Sequence, residues 1–95
     1  MSEPKKSCLH AIVRGRVQGV GFRFAAERQA SALGLTGWVR NIADASLEVV
    51  AEGEEEKLLR LAEFLRQGPR GAFVSELRAD WSEYTGRFRD FRISF

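Results

Sequence analysis

One cysteine, one histidine and two prolines stand in the 95 residues of this chain, and lysine supplies only 3 of its 15 basic side chains. A lone cysteine cannot close an internal disulfide, and one histidine with one cysteine makes no zinc cluster of the usual kind. Disulfide-stapled secreted scaffolds and structural zinc are therefore excluded as frameworks, and a reducing, cytoplasmic compartment is expected. Long apolar runs are missing too. Leu9 to Val13 is shorter than a signal-peptide core or a membrane span, and Arg14 and Arg16 soon interrupt it, so neither export nor membrane insertion is expected. Charge of one sign is also lacking: 15 basic against 13 acidic residues leave a formal charge of +2, too balanced for a dedicated nucleic-acid binder. What is present, 44% hydrophobic and 29% charged residues, suits one folded domain with one core. The basic set holds 12 arginines, whose planar forks fit carboxylate and phosphate oxygens.

After a polar segment, residues 1–7, that reads as a flexible tail, Leu9, Ala11, Val13, Gly15 and Val17 alternate with His10, Ile12, Arg14 and Arg16. That is the period of a strand with one packed and one mixed side. Gln18-Gly19-Val20-Gly21 breaks the strand, and Phe22, Ala26, Ala30 and Leu33 then recur at helical spacing up to a stop at Gly34. Leu35 to Asn41 reads as a second strand and Ser46 to Glu52 as a third, joined by the short hairpin loop Ile42-Ala43-Asp44-Ala45. Glu54-Glu55-Glu56 opens a second helix, where negative charge complements the helix dipole. Leu58, Leu61, Ala62 and Leu65 form its packed stripe, and Gly68-Pro69 ends it. Ala72 to Trp81 reads as a fourth strand with Leu77, Ala79 and Trp81 on one face. Thr85-Gly86 makes a turn, and Phe91, Ile93 and Phe95 form a short terminal strand. The order βαββαβ with a small C-terminal addition predicts an α+β, ferredoxin-like sandwich over residues 8–95, two helices on one face of an antiparallel sheet.

The chemistry points to the segment from Gly15 to Arg23. Glycines admit positive φ angles, so consecutive amides can aim into one concavity, and the N-terminus of the first helix adds partial positive charge there. Arg23, in the first helical turn, can close a two-pronged contact on phosphate oxygens. The plainer alternative is a strand-to-helix turn with a solvated arginine. Phe24 stands where a dinucleotide fingerprint needs its third glycine, and no Gly-Lys-Ser/Thr follows for a nucleotide P-loop. In the split βαβ unit, strands one and two emerge at the same edge of the sheet with strand three between them, which sets their ends about 10 Å apart. Asn41 ends strand two and so faces the loop. Taken alone, an asparagine beside a hairpin is a turn residue.

Other signatures carry less. Cys8 to Arg14 has the C-x5-R spacing of cysteine phosphatases, but the intervening residues alternate as a strand, which holds the two ends roughly 20 Å apart. His10 lacks an Asp or Ser partner in a recognisable arrangement, and the Glu54–Glu56 run is explained by helix capping rather than metal. Arg87, Arg89 and Arg92 with Phe88 and Phe91 suggest a basic aromatic patch, which an alternating strand would split between solvent and core.

Gly15-Arg-Val-Gln-Gly-Val-Gly-Phe-Arg23, followed by Gly34-Leu-Thr-Gly-Trp-Val-Arg-Asn41 and Leu47-Glu-Val-Val-Ala-Glu-Gly53, resembles the acylphosphatase family, and the resemblance runs over almost the whole chain from about Cys8. It implies the same ferredoxin-like sandwich and a hydrolase that cleaves carboxyl phosphates such as acetyl phosphate without metal or cofactor. Carried onto matching positions, it implies a phosphate cradle in the backbone of Gln18, Gly19, Val20, Gly21 and Phe22, phosphate binding by Arg23, and orientation of the attacking water by Asn41. A small acyl phosphate is then the partner, inorganic phosphate or sulfate can occupy the site, and a monomer without nucleic-acid or membrane partners is expected. The family commonly carries Asp-Gly in the hairpin after the asparagine, where this chain has Asp44-Ala45. Alanine tolerates positive φ poorly, so the turn type beside Asn41 is open. Ile42 offers no hydroxyl to that hairpin, which leaves Ser46 as the candidate to support a water network. The competing readings are a binding module for a carbamoyl- or acyl-phosphate group and an RNA-binding sandwich of this topology. RNA binding calls for exposed aromatics on the central strands, and strands one and three have none.

Overall fold

The computed structural model describes residues 3–95. Its elements are β1 (Lys6–Arg16), α1 (Phe22–Ala32), β2 (Thr36–Asn41), β3 (Leu47–Glu54), α2 (Glu55–Gln67), β4 (Phe73–Glu83) and β5 (Phe91–Ile93). Lys6 and Ser7, assigned to the tail by their polarity, already belong to β1. Ser7 is buried there, and its hydroxyl donates to Glu55 at the start of α2. Met1 and Ser2 of the expected tail lie outside the described residues.

The strand order is β4-β1-β3-β2-β5. β1 pairs antiparallel with both β3 and β4, and β2 pairs antiparallel with β3, which makes the expected four-stranded core of the sheet. β5 adds beside β2 in parallel, from Gly37 opposite Phe91 to Val39 opposite Ile93, so the complete sheet is mixed. Side chains alternate across the pleat as the period of two requires. Leu9, Ala11 and Val13 of β1, Val39 of β2, and Leu47, Val49 and Ala51 of β3 face the helices and are essentially inaccessible. The helices close this core with Phe22, Ala26 and Ala30 from α1 and Leu58, Leu61 and Leu65 from α2. Phe22 meets Phe64 edge to face, with ring centroids 6.1 Å apart, which anchors the first turn of α1 to α2. Among the described residues no helix is long and apolar enough to cross a membrane.

Leu77, Ala79 and Trp81 share a face, as their pairing with Val13, Ala11 and Leu9 dictates. The helices cover the middle of the sheet better than its edge, so Trp81 stays 45% exposed. Because β4 and β5 lie at opposite edges, the segment between them crosses the helix-free face as a strap. Glu52, whose partner on β1 is Cys8, points to that face and pins the strap. Its carboxylate accepts hydrogen bonds from the Thr85 hydroxyl at 2.7 Å, the Thr85 amide at 3.0 Å and the Gly86 amide at 2.9 Å.

Candidate active site

Between the end of β1 and the start of α1, Gly19 and Gly21 both adopt φ 75°. A Cβ built on either would meet nothing within 4 Å, so glycine is required by the left-handed backbone rather than by lack of room. Gly21 is the N-cap of α1, and no side chain caps the helix there. The first helical bond runs from the Ala25 amide to the Gly21 carbonyl at 3.0 Å. The amides of Phe22, Arg23 and Phe24 therefore have no helical acceptor, and no acidic residue in the first turn offsets their partial charge.

A concavity of about 230 Å³ opens at this end of the helix, lined by Val17, Gly19, Gly21, Phe22, Arg23, Phe24 and Asn41. The crossover from β1 through α1 to β2 thus brings the loop, Arg23 and Asn41 to one place. Arg23 is half-buried, and its guanidinium carbon lies 4.8 Å from the centroid of the Phe95 ring. Asn41 ends β2 opposite Leu47, and its Oδ1 is buried with no hydrogen-bond partner among the described residues. A buried acceptor left without a partner costs about 1–3 kcal/mol, and where a fold tolerates one, function is a common reason.

Two members of the expected cradle do not line this cavity with their side chains. Val20 packs against the core. Gln18 turns its amide to the β2–β3 hairpin and donates to the carbonyls of Ile42 and Ser46, 3.0 Å each. Gln18 thereby ties the glycine loop to the hairpin that carries Asn41, a role that sequence reading missed because its partners lie 24 and 28 residues away. Phe95 was also missed: expected to continue the face of Phe91 and Ile93, it lies beyond β5 and is 90% exposed.

The hairpin itself keeps a left-handed residue at the position in question, since Ala45 adopts φ 69°. The Ala45 amide donates to Ile42 at 3.1 Å, and the Ile42 amide donates to Ser46 at 2.9 Å. Asp44 braces the turn by accepting the Ser46 amide at 3.1 Å and a guanidinium N–H of Arg14 at 3.3 Å. Hydrogen bonding from Ser46, aided by Arg14, holds the Asp44 carboxyl below its ordinary pKa. Ser46 is buried and serves Asp44 and Gln18; no bond links it to Asn41.

The remaining candidates sit elsewhere. Cys8 and Arg14 lie along extended β1, Cys8 opposite Glu52 and Arg14 paired with Asp44 and Glu76, and burial pushes the Cys8 thiol pKa up, away from a thiolate nucleophile. His10 bonds through Nε2 to Glu48 at 2.7 Å, and Glu48 also receives Arg40 at 2.7 Å. Glu55 and Glu56 occupy the first turn of α2, and among the described residues no group of three or more metal-binding side chains comes together. The basic aromatic patch borders a concavity of about 620 Å³ between the strap and β2. Its guanidiniums are largely satisfied within the chain: Arg40 by Glu48 and the Trp38 ring, Arg87 by Glu52 and the Phe88 ring, and Arg92 by Asp90.

Comparison with known proteins agrees with this geometry. A family model described as acylphosphatase matches residues 9–93. The acylphosphatase of Caldanaerobacter subterraneus subsp. tengcongensis is 44% identical over 88 residues, covering 93% of this chain and 98% of that protein. The crystal structure of acylphosphatase from Bacillus subtilis superposes with a TM-score of 0.90 at 34% identity, over 94% of this chain and 99% of that one. An acylphosphatase structure from Coxiella burnetii superposes with a TM-score of 0.85 at 38% identity, over 99% of this chain and 100% of that one.

Proposed function

This chain belongs to the acylphosphatase family and is a hydrolase of acyl phosphates, and we propose that Arg23, the Gln18–Phe22 loop and Asn41 carry the reaction without metal or cofactor. The observation that supports this division most directly is the shared cavity, in which Arg23, the amides of the helix start and an amide oxygen without a partner among the described residues meet. The loop amides and Arg23 bind the phosphoryl oxygens and stabilise the charge that builds on them in a loose transition state. Asn41 Oδ1 accepts a hydrogen bond from the attacking water and holds its lone pair in line behind phosphorus. As the water oxygen bonds to phosphorus, the bond from phosphorus to the acyl oxygen breaks, and the carboxylate leaves with the electron pair. A carboxylate is a weak base, so no general acid is required, and a phosphate oxygen takes the water's proton. Asparagine itself has no proton to exchange at neutral pH. The same reading takes inorganic phosphate or sulfate as competing occupants and the enzyme as a cytoplasmic monomer. Buried Cys8 is compatible with that compartment, and Glu76, Arg78 and Asp80 on edge strand β4 discourage pairing with another sheet.

The test is hydrolysis of a chromogenic acyl phosphate in EDTA by the wild type, Arg23→Ala and Asn41→Ala. Arg23→Ala should weaken inhibition by inorganic phosphate and lower kcat together, on the order of 100-fold or more in kcat/KM. Asn41→Ala should lose turnover by a similar factor while phosphate still inhibits near its wild-type concentration. Equal loss of phosphate affinity in both variants would overturn the division of roles.

A further inference from the structure

The side chains that line this cavity differ in exposure. Of its apolar lining side chains, Val17 and Phe22 are each 1% exposed and belong to the core, whereas Phe24 is 55% exposed. The difference follows from the helix. Successive residues rotate by about 100°, so Phe22 turns inward to Phe64, Arg23 turns to the cavity, and Phe24 turns outward at its mouth. An aromatic side chain left open at the mouth of a cavity adds exposed apolar surface there.

In-line displacement places the two ends of the reaction. The water approaches from Asn41, whose Oδ1 is buried, and the acyl group leaves phosphorus on the opposite side. Among the described residues, Phe24 is the exposed apolar side chain that lines the cavity. From these positions, and resting on the proposed acyl phosphate reaction, we infer that Phe24 is a specificity-determining residue that favours acyl phosphates with an aromatic or extended apolar acyl group over acetyl phosphate. A single methyl group covers little of a phenyl face, while a second ring stacks on it and removes apolar surface of both from water. The gain is realised through the leaving group, so it appears in kcat/KM and leaves the affinity for inorganic phosphate untouched.

The experiment compares kcat/KM for benzoyl phosphate and acetyl phosphate, in EDTA, for the wild type, Phe24→Ala and Phe24→Tyr, together with inhibition by inorganic phosphate. Phe24→Ala should lower the benzoyl-to-acetyl ratio about tenfold, the factor expected for losing the burial of roughly one ring face. Phe24→Tyr, which keeps the ring, should restore that ratio to within about twofold of the wild type, and the phosphate inhibition constant should stay constant across the three. A ratio that is the same in all three proteins overturns the inference, as does a loss in Phe24→Ala that is equal for both substrates and accompanied by weaker phosphate inhibition, since the residue would then merely support the loop. Absence of hydrolysis of either substrate by the wild type is a different result and overturns the hydrolase reading beneath it.

Discussion

The guanidinium of Arg23 lies 4.8 Å from the centroid of the Phe95 ring, joining the first turn of α1 to the segment that follows β5. Arg23 has no carboxylate within 4.0 Å among the described residues, so this ring is the contact that restrains its side chain without neutralising it. A cation held over an aromatic face keeps its N–H edges free for an anion, whereas an ion pair would compete with the substrate.

Phe95→Ala should therefore free the arginine without removing it. The expected outcome is a KM for acyl phosphate raised about two- to fivefold, the measure of a cation–π contact of about 0.5–1 kcal/mol at an exposed site. Steady-state kinetics with circular dichroism as a folding control checks this; a wild-type KM would show that the ring does not restrain Arg23.

Gln18→Ala removes both bonds from the loop to the hairpin and leaves the Ile42 and Ser46 carbonyls with fewer donors. Each lost bond weakens the docking by about 0.5–1.5 kcal/mol. Since the hairpin carries Asn41 and the loop carries the amides proposed to bind phosphate, the expected fall is mainly in kcat, about tenfold, as the water and the phosphoryl group lose their common frame. A kcat that stays at the wild-type value would separate Gln18 from positioning.

Ala45 holds φ 69°, a conformation that costs a residue with a Cβ roughly 1–2 kcal/mol. Ala45→Gly relieves that cost but restores chain entropy to the unfolded state, so a net stabilisation of about 0.5–1 kcal/mol is expected in urea denaturation. Activity should persist, because Asp44 braces the same turn through the Ser46 amide and Arg14.

Glu52 makes the fold sensitive to acid. Burial alone would raise its pKa, but hydrogen bonds from the Thr85 hydroxyl and the Thr85 and Gly86 amides outweigh burial and hold it below the ordinary glutamate value. A depressed folded-state pKa contributes stability above the unfolded pKa, about 4.3, and that contribution is lost as pH falls through the folded value. Glu52→Gln should cost on the order of 1–3 kcal/mol at pH 7, and the gap to the wild type should narrow as pH falls below about 4.3, the unfolded value. Urea midpoints measured from pH 3 to 7 test the sign; a gap that widens in acid would contradict it.

Much of the site was legible in the sequence because its signals are local. Gly19 and Gly21 announce positive φ within one turn of chain, Arg23 follows Phe22 in the first turn of the helix, and the crossover rule places the end of β2 beside the loop. What escaped reading were contacts that no period encodes. The Thr85 and Gly86 bonds to Glu52 span 33 and 34 residues, and the Gln18 bonds span 24 and 28.

The sequence by itself determined the order of strands and helices and the face each buries, because alternation and helical spacing follow from the geometry of the backbone. Tertiary structure alone decided that β5 runs parallel to β2, that the strap crosses the open face onto Glu52, that Gln18 serves the hairpin, and that Phe95 lies against Arg23. Those outcomes depend on which distant surfaces meet once the core has closed. A one-dimensional pattern records the preference of each residue for burial, and it carries no record of its partner.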